Sequence, residues 1–146
     1  MKHEIWLPAA PASAGMARSI VSEAAAEVGL DRGGTWDLMV ATSEAVANAV
    51  QHGKACPNHC ILLTTERCAR GLRVEVTDCG SFEGTPSPAP LEATSGRGIP
   101  IIAAIVDRLE VKNGDGHTRV RFERQRWLQF LPNPTRSTFI RNAQHF

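Results

Sequence analysis

Asp37-Leu-Met-Val-Ala-Thr-Ser-Glu-Ala-Val-Ala-Asn-Ala-Val-Gln-His-Gly53 is a mainly apolar stretch that predicts a helix with two polar side chains, Glu44 and Asn48, on its apolar face. Residues four apart lie on the same side of a helix, so this carboxylate and this amide face the same space. A polar group removed from water is unfavourable unless it is paired. The pair therefore indicates a site. The plainer interpretation places Glu44 on the solvated side of the helix and makes Asn48 a tolerated polar residue.

Helices and strands can be predicted on both sides of this segment. Its own helix is expected to begin near Thr35 or Asp37, which are good N-caps, and to end at His52 before Gly53. In chain order the predicted elements are a strand at 4–8, a helix that Pro11 and Ser13 start and whose apolar period runs over 18–30, the helix at 35–52, a hairpin at 58–78, a helix at 98–106 and a hairpin at 108–123. Alternating apolar residues in the first hairpin predict a sheet with one packed face and one wet face. This order predicts an α+β fold, a two-layer α/β sandwich with a mixed sheet covered on one face by about three helices.

Length and charge restrict the class of protein. A chain of 146 residues suits one domain and is too short for two cores, so we assign residues 1–126 to a domain and residues 127–146 to a C-terminal extension of unknown role. Sixteen Lys and Arg against fifteen Asp and Glu give a net charge of +1, which offers no general attraction to nucleic acid or to an anionic membrane. The apolar runs are shorter than the ~20 residues of a membrane span, and the first residues lack the apolar core of a signal peptide. We therefore expect a cytoplasmic protein.

The four cysteines are expected to be reduced thiols, because no secretory signal accompanies them. His52, Cys56, His59 and Cys60 could alternatively be ligands of a zinc ion. That interpretation is the weaker one, since Pro57 and the residue after it predict a turn and His52 falls at a helix end.

Further motifs follow the central helix in a definite order. Asp78-Cys-Gly80 follows a strand, a Pro-rich segment occupies 81–95, Gly96-Arg-Gly98 begins the next helix, and Thr118 begins the last strand. Together with Glu-x-x-x-Asn on a helix, this order resembles that of the GHKL ATPases, which have the Bergerat type of α/β sandwich. Ser-Glu-Ala-Val-Ala-Asn-Ala-Val-Gln-His and Gly-Arg-Gly-Ile-Pro-Ile-Ile further resemble the bacterial anti-sigma factor serine/threonine kinases, and the resemblance covers residues 3–125.

Glu44 and Asn48 have the chemistry that phosphoryl transfer from ATP with Mg²⁺ requires. Mg²⁺ prefers oxygen ligands and keeps several waters, so the amide oxygen of Asn48 suffices as a protein ligand. Glu44, one turn earlier, can act as general base for an incoming hydroxyl or water. The resemblance implies the same two roles, with Asn48 as both metal ligand and nucleotide-binding residue.

The resemblance implies that Asp78, Gly80 and Thr118 recognise adenine. The Asp78 carboxylate can accept the amino hydrogens of the base, and Gly80 permits close approach of the backbone. The Thr118 hydroxyl assists adenine recognition in the family. Taken alone, Asp-x-Gly is common where a strand enters a turn, and threonine is a frequent strand residue.

Gly96, Arg97 and Gly98 are implied to bind the phosphates. Free N–H groups at a helix start attract phosphate, and Arg97 can add a charged contact to the terminal phosphate. A lone Gly-x-Gly is a weak pattern that also serves simply to cap helices. The irregular segment 79–95 between the two nucleotide motifs is predicted to be an ATP lid, with an ordinary connector as the alternative.

The resemblance implies an ATP-dependent serine/threonine protein kinase that phosphorylates a STAS-type anti-anti-sigma protein and also sequesters a sigma factor. The resemblance is compatible with either a monomer or a homodimer. It predicts no direct contact with nucleic acid or membrane. Phe82 stands where many GHKL proteins carry a second glycine, and this glycine is delayed to Gly84. That departure favours the alternative of a catalytically silent nucleotide-binding module that switches partners. A kinase subunit of the same superfamily associated with a phosphatase or receptor is a third option.

Overall fold

The helices and strands follow one another in the predicted order, and the strands form one sheet. The computed structural model of the protein describes residues 1–52, 60–78, 98–114, 117–126 and 142–143. Its elements are β1 (Lys2–Pro8), α1 (Ser13–Glu27), α2 (Arg32–His52), β2 (Cys60–Cys68), β3 (Gly71–Asp78), α3 (Gly98–Ile105), β4 (Arg108–Gly114), β5 (His117–Gln125) and β6 (Asn142–Ala143). Across the sheet the strands lie in the order β1-β2-β3-β5-β4-β6.

The sheet is antiparallel except at one edge. β2 and β3 form one hairpin, β4 and β5 form another, and β3 pairs with β5 between them. β1 pairs antiparallel with β2 at one edge, whereas β6 pairs parallel with β4 at the other. Short connections between neighbouring strands favour antiparallel pairing. The predicted α+β sandwich with a mixed sheet is confirmed.

One face of the sheet is apolar and carries the helices. Along β3 the side chains of Leu72, Val74 and Val76 are almost fully buried, as are Val120 and Phe122 on β5. Because alternate residues of a strand point to opposite faces, the residues between them form the other face. The alternation in the first hairpin therefore predicted the packed face correctly.

The second face of the sheet carries ion pairs between neighbouring strands. Arg73 Nη2 lies 2.6 Å from Glu123 Oε1, and Arg121 Nε lies 2.7 Å from Glu75 Oε2. Partly exposed pairs of this kind contribute at most about 1 kcal/mol each to stability. The driving force for folding is therefore on the helix-covered face.

The helices cover the sheet mainly with small apolar side chains. α2 packs against α1, α3, β3 and β5. Residues three and four apart share one face of a helix, which matches the burial pattern of both long helices. Their buried apolar residues are Ala17, Val21, Ala25, Leu38, Ala41, Ala45, Val46 and Ala49. α2 is thus the central helix of the layer.

α1 (Ser13–Glu27) begins at Ser13, which together with Pro11 was predicted to start this helix, and it ends before the predicted end at Leu30. At its end, the Leu30 N–H donates to the Ala25 carbonyl at 3.0 Å, and the Gly29 N–H donates to the Ala26 carbonyl at 3.1 Å. Gly29 has φ of 79°, a conformation that glycine adopts readily. These bonds form a Schellman motif, which terminates the helix.

α2 begins at Arg32, before the predicted start at 35–37. The cap is Asp31, whose Oδ1 accepts a hydrogen bond from the Gly34 N–H at 2.7 Å. Glycine is unfavourable inside helices, and two consecutive glycines obscured this first turn. A Cβ built on Gly34 would lie 3.3 Å from Leu30 Cδ2, so close packing accounts for the glycine.

The predicted C-terminal extension contributes two residues to the sheet. Asn142 and Ala143 form β6 opposite Val111 and Lys112 of β4. Residues 127–141 and 144–146 lie outside the described residues, and their assignment to a separate extension stays a prediction. None of the helices that the structure describes is both long enough and apolar enough to cross a membrane.

Candidate functional site

Buried polar residues lie at one end of the sheet. Asp78 is the last residue of β3, and it pairs in register with Thr118 of β5. The two residues are only 5% and 6% exposed. They alternate in phase with Val76 and Val120, so their side chains lie on the helix-covered face. Two predicted site residues from separate hairpins are therefore neighbours.

We call Asp78, Thr118 and their half-buried neighbour Asn113, which sequence reasoning missed, the buried polar row. The sequence Asn113-Gly-Asp-Gly116 is typical of a hairpin turn, but Asn113 lies within β4, directly opposite Thr118. The Thr118 Oγ1 donates to Asn113 Oδ1 at 3.3 Å. The register of the β4–β5 hairpin could have identified Asn113. Gly114 pairs with His117, which places Asn113 opposite Thr118.

Glu44 and Asn48 lie one turn apart on α2, and both are half-buried. Gly98, the first residue of α3, lies directly against the Asn48 side chain. A Cβ built on Gly98 would be 2.9 Å from Asn48 Nδ2 and 3.3 Å from its Oδ1. Only glycine leaves room for so close an approach. The structure thus brings together Asn48 and Gly98, two residues that were predicted from separate motifs.

The Asn48 amide lies toward the same end of the molecule as the buried polar row. α2 begins beside the opposite end of β5, where Arg124 Nε donates to Asp37 Oδ2 at 3.2 Å. From Arg124 back to Thr118 the strand covers about 20 Å, and from Asp37 to Asn48 the helix covers about 16 Å. Since α2 packs along β3 and β5, its later turns lie toward Thr118.

Comparison with protein families agrees with this arrangement. The family model described as a histidine kinase-like ATPase domain matches residues 7–124, which is most of the chain. The chain belongs to the histidine kinase-like ATPase family. A search of the curated proteins finds no match.

A solved structure is also similar to this histidine kinase-like ATPase. It is the crystal structure of the RsbU and RsbW domains of Rv1364c from Mycobacterium tuberculosis, with 25% sequence identity and a TM-score of 0.68. The match covers 88% of this chain and 35% of that chain, so this chain corresponds to one part of the longer protein. The two matches confirm the resemblance to the GHKL anti-sigma kinases. The family implies ATP binding and suggests kinase or ATPase chemistry.

Part of the predicted site lies outside the described residues. Gly80, Gly96 and Arg97 belong to this part, as does the segment 79–95 that was predicted to be a lid. Their roles stay predictions. The described members of the site are Glu44, Asn48, Asp78, Gly98 and Thr118.

His52 lies one turn beyond Asn48, at the end of α2. Burial lowers the pKa of His52 below its usual value of 6.5, which favours the neutral imidazole at pH 7. Cys56 and His59, its partners in the zinc interpretation, lie outside the described residues. Among the residues that the structure describes, no group of three or more His, Cys, Asp or Glu could hold a metal ion. The zinc interpretation stays a hypothesis.

Proposed function

We propose that this protein is an ATP-dependent serine/threonine protein kinase and anti-sigma regulatory factor of the cytoplasm. Its phosphoacceptor is a serine or threonine of a STAS-type anti-anti-sigma protein, and it also sequesters a sigma factor. The observation that carries the proposal is the contact of Gly98 with Asn48, toward the end of the sheet where Asp78 pairs with Thr118. The similarity to the RsbW domain supports the choice of an anti-sigma kinase.

The chemistry of Asn48 fits a magnesium ion. Its amide oxygen is the kind of ligand that Mg²⁺ accepts, and the ion commonly completes its shell with waters and substrate phosphates. Because Gly98 has no Cβ, the space beside this amide stays open. We therefore assign the protein's metal ligand to Asn48. When bound, the ion neutralises negative charge on the phosphates during transfer.

Asp78 and Thr118 are proposed to bind the adenine ring. A carboxylate can accept hydrogen bonds from an amino group, and so can the Thr118 hydroxyl oxygen, whose own proton is donated to Asn113. Both residues are almost fully buried, and hydrogen bonds are stronger where water is excluded. Asn113 orients the Thr118 hydroxyl through their 3.3 Å hydrogen bond. Gly80 is proposed to let the backbone approach the base.

Glu44 is the proposed general base. Its carboxylate accepts the proton of the substrate hydroxyl as that oxygen forms a bond to the γ-phosphorus. The bond between this phosphorus and the bridging oxygen breaks, and ADP leaves with the electron pair. Gly98, the first residue of α3, is proposed to bind the phosphates together with Gly96 and Arg97, which precede it in the sequence, through backbone N–H groups and the Arg97 guanidinium.

The proposal is tested with γ-labelled ATP and purified STAS-type anti-anti-sigma proteins from the same organism. Glu44→Gln keeps the size of the side chain but cannot accept the proton. We expect transfer to fall by about 100-fold or more while MgATP affinity stays within about threefold of wild type. Glu66→Gln, on the ion-pair face of the sheet, is the matched control and should transfer normally. Normal transfer by Glu44→Gln would exclude Glu44 as the base.

A second candidate is the catalytically silent module that binds nucleotide and switches partners. Phe82, in place of the second glycine of the Asp-x-Gly motif, favours it. This candidate predicts that nucleotide changes the affinity for the STAS protein by linkage, while no phosphoserine or phosphothreonine forms. The same labelled-ATP assay, combined with partner titrations, distinguishes the two candidates.

A further inference from the structure

Arg124 ties several elements together at the end of the molecule opposite to the candidate site. Its Nε donates to Asp37 Oδ2 of α2 at 3.2 Å, and its Nη1 donates to Asp107 Oδ2 at 3.0 Å. Only 7% of the Arg124 side chain is exposed, against 23% for Asp37 and 17% for Asp107. One planar guanidinium thus holds two carboxylates, a geometry that arginine favours. We call these three residues the Arg124 bridge.

Backbone contacts hold the Arg124 bridge in one arrangement. The Gln125 N–H donates to the Asp107 carboxylate at 2.7 Å, and the Asp107 N–H donates to the Glu123 carbonyl at 2.9 Å. A Cβ built on Gly34 of α2 would lie 3.7 Å from Arg124 Cγ, so the helix also packs against the arginine stem. The segment after α3 is therefore fastened to the end of β5.

Each element tied by the Arg124 bridge carries a candidate site residue toward its other end. α2 leads from the bridge to Asn48, and β5 leads back from the bridge to Thr118. α3 begins with Gly98, and Asp107 follows soon after its last residue. α3 is only eight residues long, and within it only Gly98 and Ile102 are buried. So short a helix is marginal by itself, so its placement depends on its packing against α2 and on what holds its ends.

We infer that Arg124 is a positioning residue that sets α3 against α2 and thereby brings Gly98 to Asn48. It lies about 16 Å or more along α2 from the candidate site, so it acts through the elements that it fastens. Its effect on nucleotide affinity rests on the proposed function. Its effect on the placement of α3 does not.

The test compares Arg124→Met with Arg73→Met. Arg124→Met removes both hydrogen bonds and keeps much of the apolar stem. Arg73 is the matched control because the ion pairs described for it, with Glu66 and Glu123, connect strands alone. Amide hydrogen exchange of residues 102–106 and MgATP affinity are measured at a temperature where both variants are folded. For Arg124→Met we expect exchange at least about tenfold faster and affinity at least about tenfold weaker, with Arg73→Met within about twofold of wild type.

Each outcome supports or overturns the inference. Equal exchange in α3 and equal affinity in the two variants, with only a lower unfolding temperature for Arg124→Met, would overturn it. If Arg124→Met does not fold, Asp107→Ala takes its place, because it removes the acceptor of the Arg124 and Gln125 hydrogen bonds and keeps the bond between Arg124 and Asp37. Failure of the wild type to bind MgATP would reject the proposed function, and the exchange of α3 alone would then decide the positioning role.

Discussion

Gly98 allows the start of α3 to lie directly against the Asn48 amide in the candidate site. Glycine is unfavourable inside a helix, yet it occupies the first position of α3, where a Cβ would be 2.9 Å from the Asn48 amide. Such a separation is shorter than van der Waals contact, so an added methyl group must displace the amide or move α3. The glycine therefore preserves the position of the proposed metal ligand.

Gly98→Ala is predicted to weaken MgATP binding by about tenfold or more, while it costs no more than about 1–3 kcal/mol of unfolding free energy. Gly15→Ala is the control, because its Cβ would meet only the Arg18 guanidinium at an ordinary 3.5 Å. That variant should bind MgATP normally. Calorimetric titration of both variants makes the comparison, and normal binding by Gly98→Ala would mean that the contact does not matter for the nucleotide.

Thr42 of α2 carries a buried hydroxyl without a visible role in packing. The residue is fully buried, and its hydroxyl has no hydrogen-bond partner among the described residues. Thr42→Val keeps the shape and removes the unsatisfied oxygen. We predict that the free energy of unfolding is unchanged or rises by up to about 1 kcal/mol, as measured by chemical denaturation. A loss of stability larger than that would show that the hydroxyl is hydrogen-bonded.

At the scale of elements, side-chain periodicity predicted the kind and order of the helices and strands, whereas hydrogen bonds decided where they end. The apolar face of α2 was visible in the sequence because Leu38, Ala41 and Ala45 recur at helical spacing. Its start was not visible, because the deciding group is the Asp31 carboxylate and the glycines after it suggest a loop. Apolar periodicity alone does not show where a helix begins, because the N-cap residue lies outside the periodic pattern.

Asp31→Ala should shorten α2 and lower the free energy of unfolding by about 0.5–2 kcal/mol, because the Gly34 N–H loses its acceptor. Asp31→Ser is the matched variant, since serine is also a good N-cap and should restore most of the stability. Chemical denaturation of the two variants provides the values. Equal stability of the alanine and serine variants would contradict this cap.

The candidate site was predictable as a set of residues but not as a geometry. Glu44 and Asn48 are neighbours by helical spacing alone, so the sequence was sufficient for that pair. The pairing of Asp78 with Thr118 depends on how two hairpins come together, and nothing local encodes it. Asn113 was missed for a different reason, because the turn pattern hid the fact that β4 continues to Gly114 and pairs Asn113 with Thr118.

At the scale of the whole molecule, the two faces of the sheet have different chemistry. One face provides the apolar core, and the other is covered by pairs of Arg or Lys with Glu. The two ends also differ, because one holds the buried polar row and the other holds the Arg124 bridge. The buried polar row and the Arg124 bridge are therefore separated along the strands.

The ion pairs on the second face of the sheet should make the free energy of unfolding fall at acid pH. Burial raises the pKa of Glu110, but hydrogen bonding to Lys112 and the charges of Lys112, Arg121 and Arg119 lower it by more, so it lies below the usual 4.5. The unfolded state then binds more protons than the folded state. The contribution of Glu110 is complete above pH 4.5 and is lost as the pH falls through the folded pKa.

Glu110→Gln should therefore make the free energy of unfolding fall less steeply with decreasing pH below 4.5. Glu4→Gln, at an exposed position of β1, is the comparison variant and should follow the wild type. Denaturation at a series of pH values gives the slopes. Identical slopes for Glu110→Gln and the wild type would contradict the assignment of this acid sensitivity to Glu110.

Calorimetric titration of MgATP into the wild type, Asn48→Ala and Gln51→Ala tests the proposed nucleotide site most directly. Gln51 is exposed on the same helix, so its substitution controls for changes in α2 itself. We predict binding of one MgATP by the wild type and by Gln51→Ala, and binding weaker by about 100-fold in a folded Asn48→Ala. Absence of binding by the wild type, or equal affinity of Asn48→Ala, would contradict the proposed site.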